Sequence, residues 1–345
     1  MNPFLAAPNN TFRIRDPAYT HTLAPNFDGF DAWGSYKFRI FTNSLGFRDA
    51  SVREVPLAAD RKRVLFIGDS FTESLGVAYE ETFVGLFARA HPELDVLNAG
   101  VSSYAPSVYY EKLKHFIESG LKFDEAVVYI DISDIQDEAT LYWYDQNGVL
   151  QLTPPIPPSE DCSPLPRPPL PRPEKGWLEK VSYLAEFLDQ LRYSRRLAAS
   201  IERASVEDLS KSGAVYSRDY ARPSWTYSKD ATCYGAVGIE GAIDKARERM
   251  DRLYELLTAH GVDLSVGVYP WPQQLLYDRE NSRQAQIWRE WCAGKCRRFF
   301  DHFPAFFRYK EQDPDFVRSL FFWGDMHFNA RGNQLLAEDL IWNYK

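Results

Sequence analysis

Two short runs at opposite ends of the chain hold the residue types of nucleophilic acyl chemistry. One is Val64-Leu65-Phe66-Ile67-Gly68-Asp69-Ser70-Phe71, an apolar strand pattern ending in Gly-Asp-Ser; the other is Gly324-Asp325-Met326-His327-Phe328-Asn329. A serine hydroxyl is a weak nucleophile at neutral pH, so attack on a carbonyl needs an imidazole to take its proton and a carboxylate to orient that imidazole. Ser70, His327 and Asp325 are the candidates for those three roles. Of the six histidines, His327 stands out because its run reads as a loop before a closing helix expected from Ala330 to Trp342, and loops often carry catalytic groups. His91, His115, His260 and His302 are expected at helix ends or on the surface. Taken singly, each run reads more simply as a cap, Ser70 on a helix and Asp325 on its own loop. Together, at the two ends of one α/β pattern, they point to a triad.

The elements that must bring them together follow from periodicity. From Arg61 the chain alternates: a strand over 64–67, a helix from about 78 to 90, a strand over 95–98, a helix from about 106 to 119 and a strand over 126–130. The rhythm resumes with a helix from Ile239 to His260 and a strand from Asp263 to Tyr269. Such alternation predicts a mainly parallel sheet with helices on both faces, in which ligands sit at the carboxyl ends of the strands. Ser70 falls at one such end and Trp271 at another.

Four segments result. Residues 1–60 form an N-terminal β extension packing on the core, with an alternating strand at Tyr36–Phe41 followed by turn chemistry from Asn43 to Gly46. Residues 61–140 hold the first part of the core and 238–345 the second. Between them, residues 141–237 are an insertion expected to act as a lid. Its prolines, dense from Pro154 to Pro173, require extended chain, and Leu178 to Ala204 has the spacing of a helix that packs on the core or forms a small lid.

The motifs resemble those of the SGNH (GDSL-type) hydrolases, whose first block is matched by Gly68-Asp69-Ser70, second by Asn98-Ala99-Gly100-Val101 and last by Asp325 and His327. The likeness spans residues 62–140 and 262–345. It implies a three-layer, flavodoxin-like α/β fold and no metal or cofactor. It also implies that Ser70 is the nucleophile, His327 the general base and then acid, and Asp325 its orienting partner. The backbone N–H groups of Ser70 and Gly100 would line the oxyanion hole. The third block departs from the family: where Gly-x-Asn-Asp is usual, the chain reads Asp131-Ile132-Ser133-Asp134. By register Ser133 takes the asparagine position as the third oxyanion donor, while Ser133 or Asp134 also fits the cap of a helix starting near Ile135. Asp131 and Asp134 form a carboxylate pair, but no histidine or cysteine joins them as a metal site would favour. Asp134, Tyr104 and Trp271 are the candidates for substrate contact.

The Asn43-Ser44-Leu45-Gly46-Phe47-Arg48 run resembles a bacterial subgroup associated with polysaccharide and cell-envelope work. The resemblance thus implies an esterase acting on short acyl groups, O-acetyl above all, of carbohydrates. The same triad would serve an O-acetyltransferase modifying a cell-envelope or exopolysaccharide sugar. Ser133 in the asparagine position also motivates a non-catalytic polysaccharide-binding or scaffold protein.

Composition narrows the classes. A formal net charge of −8 argues against general nucleic-acid binding, which wants a basic patch. Aromatic residues make up 15%, compatible with a sugar-contacting cleft. The start, Met1 to Pro8, lacks the basic region of a signal peptide, and no run approaches the ~18 apolar residues of a membrane helix; a longer, anchored form stays open. Among the four cysteines, Cys292 and Cys296 lie four apart and are expected to pair at a helix end, which favours a periplasmic or cell-envelope setting over a cytoplasmic one. Two free thiols are the alternative.

Overall fold

The computed structural model describes residues 12–33, 36–152, 182–203, 222–228 and 234–344. The described residues begin with short strands in antiparallel pairings: β1 (Arg13–Asp16), β2 (Thr20–Leu23), β3 (Asp28–Trp33), β4 (Tyr36–Thr42) and β5 (Arg48–Asp49). The α/β rhythm follows as β6 (Arg63–Ile67), α1 (Ser70–Glu73), α2 (Phe83–Ala90), β7 (Asp95–Asn98), α3 (Pro106–Glu118), β8 (Glu125–Tyr129) and α4 (Asp134–Thr140). A hairpin of β9 (Tyr142–Tyr144) and β10 (Leu150–Leu152) and the helix α5 (Tyr183–Arg203) lie in the inserted region. The remainder comprises α6 (Gly238–Ala259), β11 (Asp263–Val268), α7 (Pro272–Tyr277), α8 (Arg283–Cys292), β12 (Arg298–Asp301), α9 (Phe303–Gln312), α10 (Phe316–Leu320) and α11 (Ala330–Asn343).

One eight-stranded sheet organises these elements in the order β12-β11-β8-β6-β7-β5-β4-β3. The five strands from β12 to β7 are parallel. In chain order they run 2-1-3-4-5, the flavodoxin-like winding whose order reverses between β6 and β8 and so leaves a crevice at their carboxyl ends. Every residue of β6, β7 and β8 is buried, as expected of parallel strands covered on both faces. Helices flank the sheet in two groups, α3, α4 and α6 in one and α2, α9, α10 and α11 in the other. Beyond β7 the sheet continues antiparallel through β5, β4 and β3, with Arg48 opposite Asn98.

Three local expectations need correction. The helix expected from residue 78 starts only at Phe83, because the Thr82 hydroxyl caps it by accepting the Gly85 N–H at 2.9 Å and a separate turn occupies Tyr79–Glu81. The apolar spacing in α5 does not mark burial against the core, since Leu184, Phe187, Leu188 and Leu191 are exposed. His302 is fully buried, held at 2.9 Å by the Tyr129 hydroxyl and at 2.7 Å by Asp339. Cys292 and Cys296 form a disulfide with Cα atoms 4.9 Å apart. It closes where α8 ends and Gly294 adopts a positive φ of 77°. The proline-rich stretch from Pro154 to Pro173 lies outside the described residues. Among the described residues, no helix is long and apolar enough to cross a membrane.

Candidate active site

Ser70 owes its position to a forced turn. At Gly68 a Cβ would meet Thr72 Oγ1 at 2.1 Å and the Tyr129 carbonyl oxygen at 2.9 Å, so only glycine lets the chain leave β6 this close to β8. Asp69 then caps α1, its Oδ1 accepting the Phe71 N–H at 2.9 Å. Ser70 is the first residue of that short helix, at the carboxyl edge of the sheet.

The partner loop is equally constrained. A bridge pairs Phe321 with Phe328, and Phe322 and His327 are joined by a 3.0 Å backbone bond. Asn329 caps α11 by accepting the Arg331 and Gly332 N–H groups while its amide donates to three carbonyls of residues 318–321. This fixed loop aims His327 Nε2 at Ser70 Oγ, 2.8 Å away. On the other side of the ring, His327 Nδ1 lies 2.5 Å from Asp325 Oδ1, which also accepts the His327 N–H at 2.8 Å. Serine, imidazole and carboxylate form one hydrogen-bonded line. Phe71 lies along the imidazole with ring centroids 4.8 Å apart, and Trp33 meets it edge-on at 5.0 Å.

Burial works to lower the His327 imidazole, but the Asp325 charge and hydrogen bond outweigh it and raise the ring above its ordinary value. Burial works to raise Asp325, and the His327 charge and hydrogen bonds, with that of Trp33, prevail and hold it below the usual carboxylate range. The arrangement favours an ionised acid beside a ring ready to hold a proton.

The other expected site residues are placed differently. The Gly100 N–H donates to Asn98 Oδ1 at 3.0 Å, and glycine is needed there because a Cβ would meet Thr72 and the Glu73 nitrogen within 2.9 Å. Ser133 turns inward: its hydroxyl and N–H both donate to Asp131 Oδ1, at 2.5 and 2.7 Å. The turn at Asp131 thus takes the hydroxyl expected to face an oxyanion, and Ser133, though at the N-cap position of α4, makes no side-chain capping bond there. Tyr104 is fully buried, donating to the His21 carbonyl at 2.7 Å and accepting from Lys112, so it braces the extension and lines no cleft. Trp271 is buried against Phe71, and its indole N–H donates to Asp131 Oδ2 at 2.6 Å; it is a plug beneath the triad. Asp134 is also fully buried, which removes it from substrate contact.

Asp134 belongs instead to a cluster that sequence reasoning saw only as a pair. Asp69, Asp131 and Asp134 each bring an oxygen within 4.8 Å of the others. Protein donors engage most of their oxygens. Asp69 receives the Phe71 N–H and the Tyr269 hydroxyl, and its Oδ2, 3.2 Å from Ser70 Oγ, is a longer alternative acceptor for the proton that His327 Nε2 meets at 2.8 Å; Asp131 receives Ser133 and Trp271; Asp134 Oδ2 receives the Tyr109 hydroxyl at 2.7 Å and the Asp131 N–H at 3.1 Å. Asp134 Oδ1 is buried with no hydrogen-bond partner among the described residues. Burial, then the nearby Asp131 charge, pushes Asp69 up to about 8. Burial with the charges of Asp69 and Asp131 raises Asp134 well above the carboxylate range. Burial and the neighbouring carboxylates thus favour the protonated form of Asp69 and Asp134.

The N-terminal extension supplies a second group of residues that spacing alone did not single out. In the Asn43-to-Arg48 run, Asn43 Oδ1 accepts the Leu45 and Phe47 N–H groups, and Gly46 has φ 71° with the Leu23 carbonyl where a Cβ would be. That turn delivers Arg48, fully buried, to the carbonyls of Glu73, Ser74 and Val77 at the exit of α1. Arg13 pairs with Glu73, which also accepts the Ser102 N–H at 2.7 Å. A motif linked by resemblance to polysaccharide work is here a brace for the helix that carries Ser70.

Neither the family models nor the curated proteins compared with the chain match it. Solved structures do resemble it. An acetylxylan esterase from Geobacillus stearothermophilus, in a catalytic mutant form, shows 13% identity and a TM-score of 0.43, covering 84% of this chain and 96% of its own. A lipolytic protein of the G-D-S-L family from Desulfitobacterium hafniense, described as putative, shows 10% identity and a TM-score of 0.41, with 82% and 99% covered. An alpha/beta hydrolase enzyme from the metagenome of Lake Arreo, Spain, shows 13% and 0.41, with 83% and 96% covered. At these identities and scores the likeness carries no functional weight, and the chemistry rests on the residues themselves.

Proposed function

We propose that the chain is a serine-dependent hydrolase of short acyl esters, working through an acyl-Ser70 intermediate. The observation that carries this reading is the unbroken line from Ser70 Oγ through His327 to Asp325. In the first step Ser70 Oγ attacks the ester carbonyl while His327 Nε2 takes the hydroxyl proton. The tetrahedral intermediate collapses as the imidazolium returns that proton to the departing alkoxide, and water, activated by the same nitrogen, then releases the acid. Asp325 holds Nδ1–H and stabilises the imidazolium. Ser70 N–H, at the first position of α1 where helix geometry leaves N–H groups without an intrahelical acceptor, is the donor assigned to the oxyanion. Carbohydrate O-acetyl esters are the substrates suggested by the motif resemblance, and the Cys292–Cys296 disulfide supports a periplasmic or cell-envelope setting.

The test is turnover of p-nitrophenyl acetate by the wild type, Ser70→Ala and His327→Ala, with mass spectrometry of Ser70 after brief exposure to the ester. Each substitution is expected to lower kcat by ~10⁴-fold or more. The acid limb of kcat/KM should lie above the ~6.5 of an unperturbed imidazole, because general-base action needs neutral His327 and its proton is held more tightly than usual. Wild-type activity equal to that of Ser70→Ala on several esters sinks the reading. Release of the acyl group to a glycan hydroxyl in preference to water would make the enzyme an O-acyltransferase using the same residues.

A further inference from the structure

One strand of the extension touches both halves of the proposed site. Along β3 the burial alternates, with Phe30 outward and Asp31 and Trp33 inward, as the two-residue period of a strand requires. Asp31 approaches Arg13 at 3.5 Å, and Arg13 pairs with Glu73 at the end of α1. Two residues on, the Trp33 indole N–H donates to Asp325 Oδ2 at 2.9 Å. The nucleophile's helix and the acid's loop are thus tied to one face of the same strand.

The bond at Asp325 divides the carboxylate. Oδ1 is committed to His327, accepting its backbone N–H and its Nδ1–H; Oδ2 is committed to Trp33. With both oxygens held, the carboxylate has one orientation about its terminal torsion, which is otherwise broad. The Trp33 ring, edge-on to His327 at 5.0 Å, covers the same pair. Asp325 retains only 14% side-chain exposure.

We propose that Trp33, presented by the β3–β4 hairpin, is a positioning residue for the relay, fixing Asp325 in the rotamer that serves His327 and shielding the pair from water. The proposal rests on the reading of Ser70, His327 and Asp325 as a working triad. It gives the N-terminal extension a part in the chemistry in addition to covering the sheet edge.

The experiment replaces Trp33 by 3-benzothienylalanine, which exchanges the indole N–H for sulfur at nearly constant shape, alongside Trp33→Phe and the control Phe30→Ala. Two quantities are read: kcat and KM on p-nitrophenyl acetate, and the His327 ring titration by NMR. Loss of a hydrogen bond to a charged group predicts a fall in kcat of about ten- to a hundredfold with little change in KM. Without the indole N–H, Asp325 carries more charge toward His327, so the ring titration moves upward in the benzothienyl variant. Phe30, 54% exposed on the opposite face, should leave both at wild-type values. Unchanged kcat and titration in the benzothienyl variant overturn the proposal. Equal effects from Phe30→Ala also overturn it, because they reduce Trp33 to hairpin stability. The titration needs no turnover, so a shift in an enzyme inactive on every ester would separate failure of the hydrolase reading from failure of this one.

Discussion

On either side of Ser70 the protein buries carboxyl groups, and it treats them in opposite ways. In the loop before α11, Asp325 stands alone with an imidazole, a backbone N–H and an indole N–H. Beneath the ends of β6 and β8, Asp69, Asp131 and Asp134 crowd together with hydroxyl, indole and backbone donors. A buried carboxyl keeps its charge where an opposite charge stabilises it and tends to keep its proton where like charges surround it. Asp325 is accordingly held below its usual range, while Asp69 and Asp134 are raised. Two residues of the same type can therefore differ in protonation within one site because of what faces them.

Substitution by the amide breaks this contrast most sharply. Asp325→Asn presents the wrong hydrogen-bonding group to His327 and should lower kcat by ~10⁴-fold, as expected when a triad acid loses its charge. Asp69→Asn replaces a carboxyl that holds its proton to about pH 8, so an amide of the same shape should cost about tenfold or less at pH 7, the size of one hydrogen bond. Kinetics of both variants on one acetyl ester at pH 7 decide the matter. Comparable losses would mean that Asp69 works as an ionised group.

How much of this was legible beforehand depends on the range of the interaction. Ser70, Asp325 and His327 were readable because each motif carries its own local geometry, a strand end before a helix or a loop before a cap. The parallel core was readable because its strands and helices alternate along the chain. Trp33 was not, since its bond to Asp325 joins positions 292 residues apart through an antiparallel hairpin whose docking no local period encodes. Ser133 was misassigned for a related reason: register gave its place, but the competing acceptor, Asp131 Oδ1, is a side chain whose direction only the folded turn reveals. Trp271, expected at the end of a strand, and Tyr104 were both candidates for substrate contact, yet both spend their polar atoms inward.

The contrast also sets two stability slopes of opposite sign. Asp325 binds its proton less tightly folded than unfolded. Its contribution is present above the ordinary value of about 4 and is lost as pH falls through the folded value. Asp69 works in reverse, because the unfolded chain releases that proton near pH 4 while the folded protein keeps it to about pH 8. Stability therefore declines as pH climbs across that window and levels off above it. Asp134 adds to the decline. His327, raised when folded, contributes fully below about 6.5 and loses that contribution as pH rises through its folded value. Melting temperatures from pH 3 to 9, by calorimetry, should show a shallower alkaline decline in an Asp69→Asn, Asp134→Asn double variant, whereas Asp325→Asn should flatten the acid side. An unchanged decline in the double variant would show that the cluster is ionised throughout.

The smallest effect compares two donors to two acids. Tyr109→Phe removes a hydroxyl from Asp134 Oδ2, which retains the Asp131 N–H at 3.1 Å. If Asp134 is neutral, the loss is that of an ordinary hydrogen bond, about 1 kcal/mol, whereas a bond to an ionised carboxylate would be worth about 1.5–3 kcal/mol. Urea denaturation at pH 6 should give the lower figure, and Tyr109, whose hydroxyl donates to Asp134 and to no triad residue, should leave kcat within about twofold, under the ~0.6 kcal/mol of thermal energy. A stability loss near 3 kcal/mol would assign charge to Asp134 and remove the distinction between the cluster and Asp325. A loss near 1 kcal/mol would show that a hydroxyl donor in the cluster serves packing and proton retention, while donors to Asp325 act on a charge.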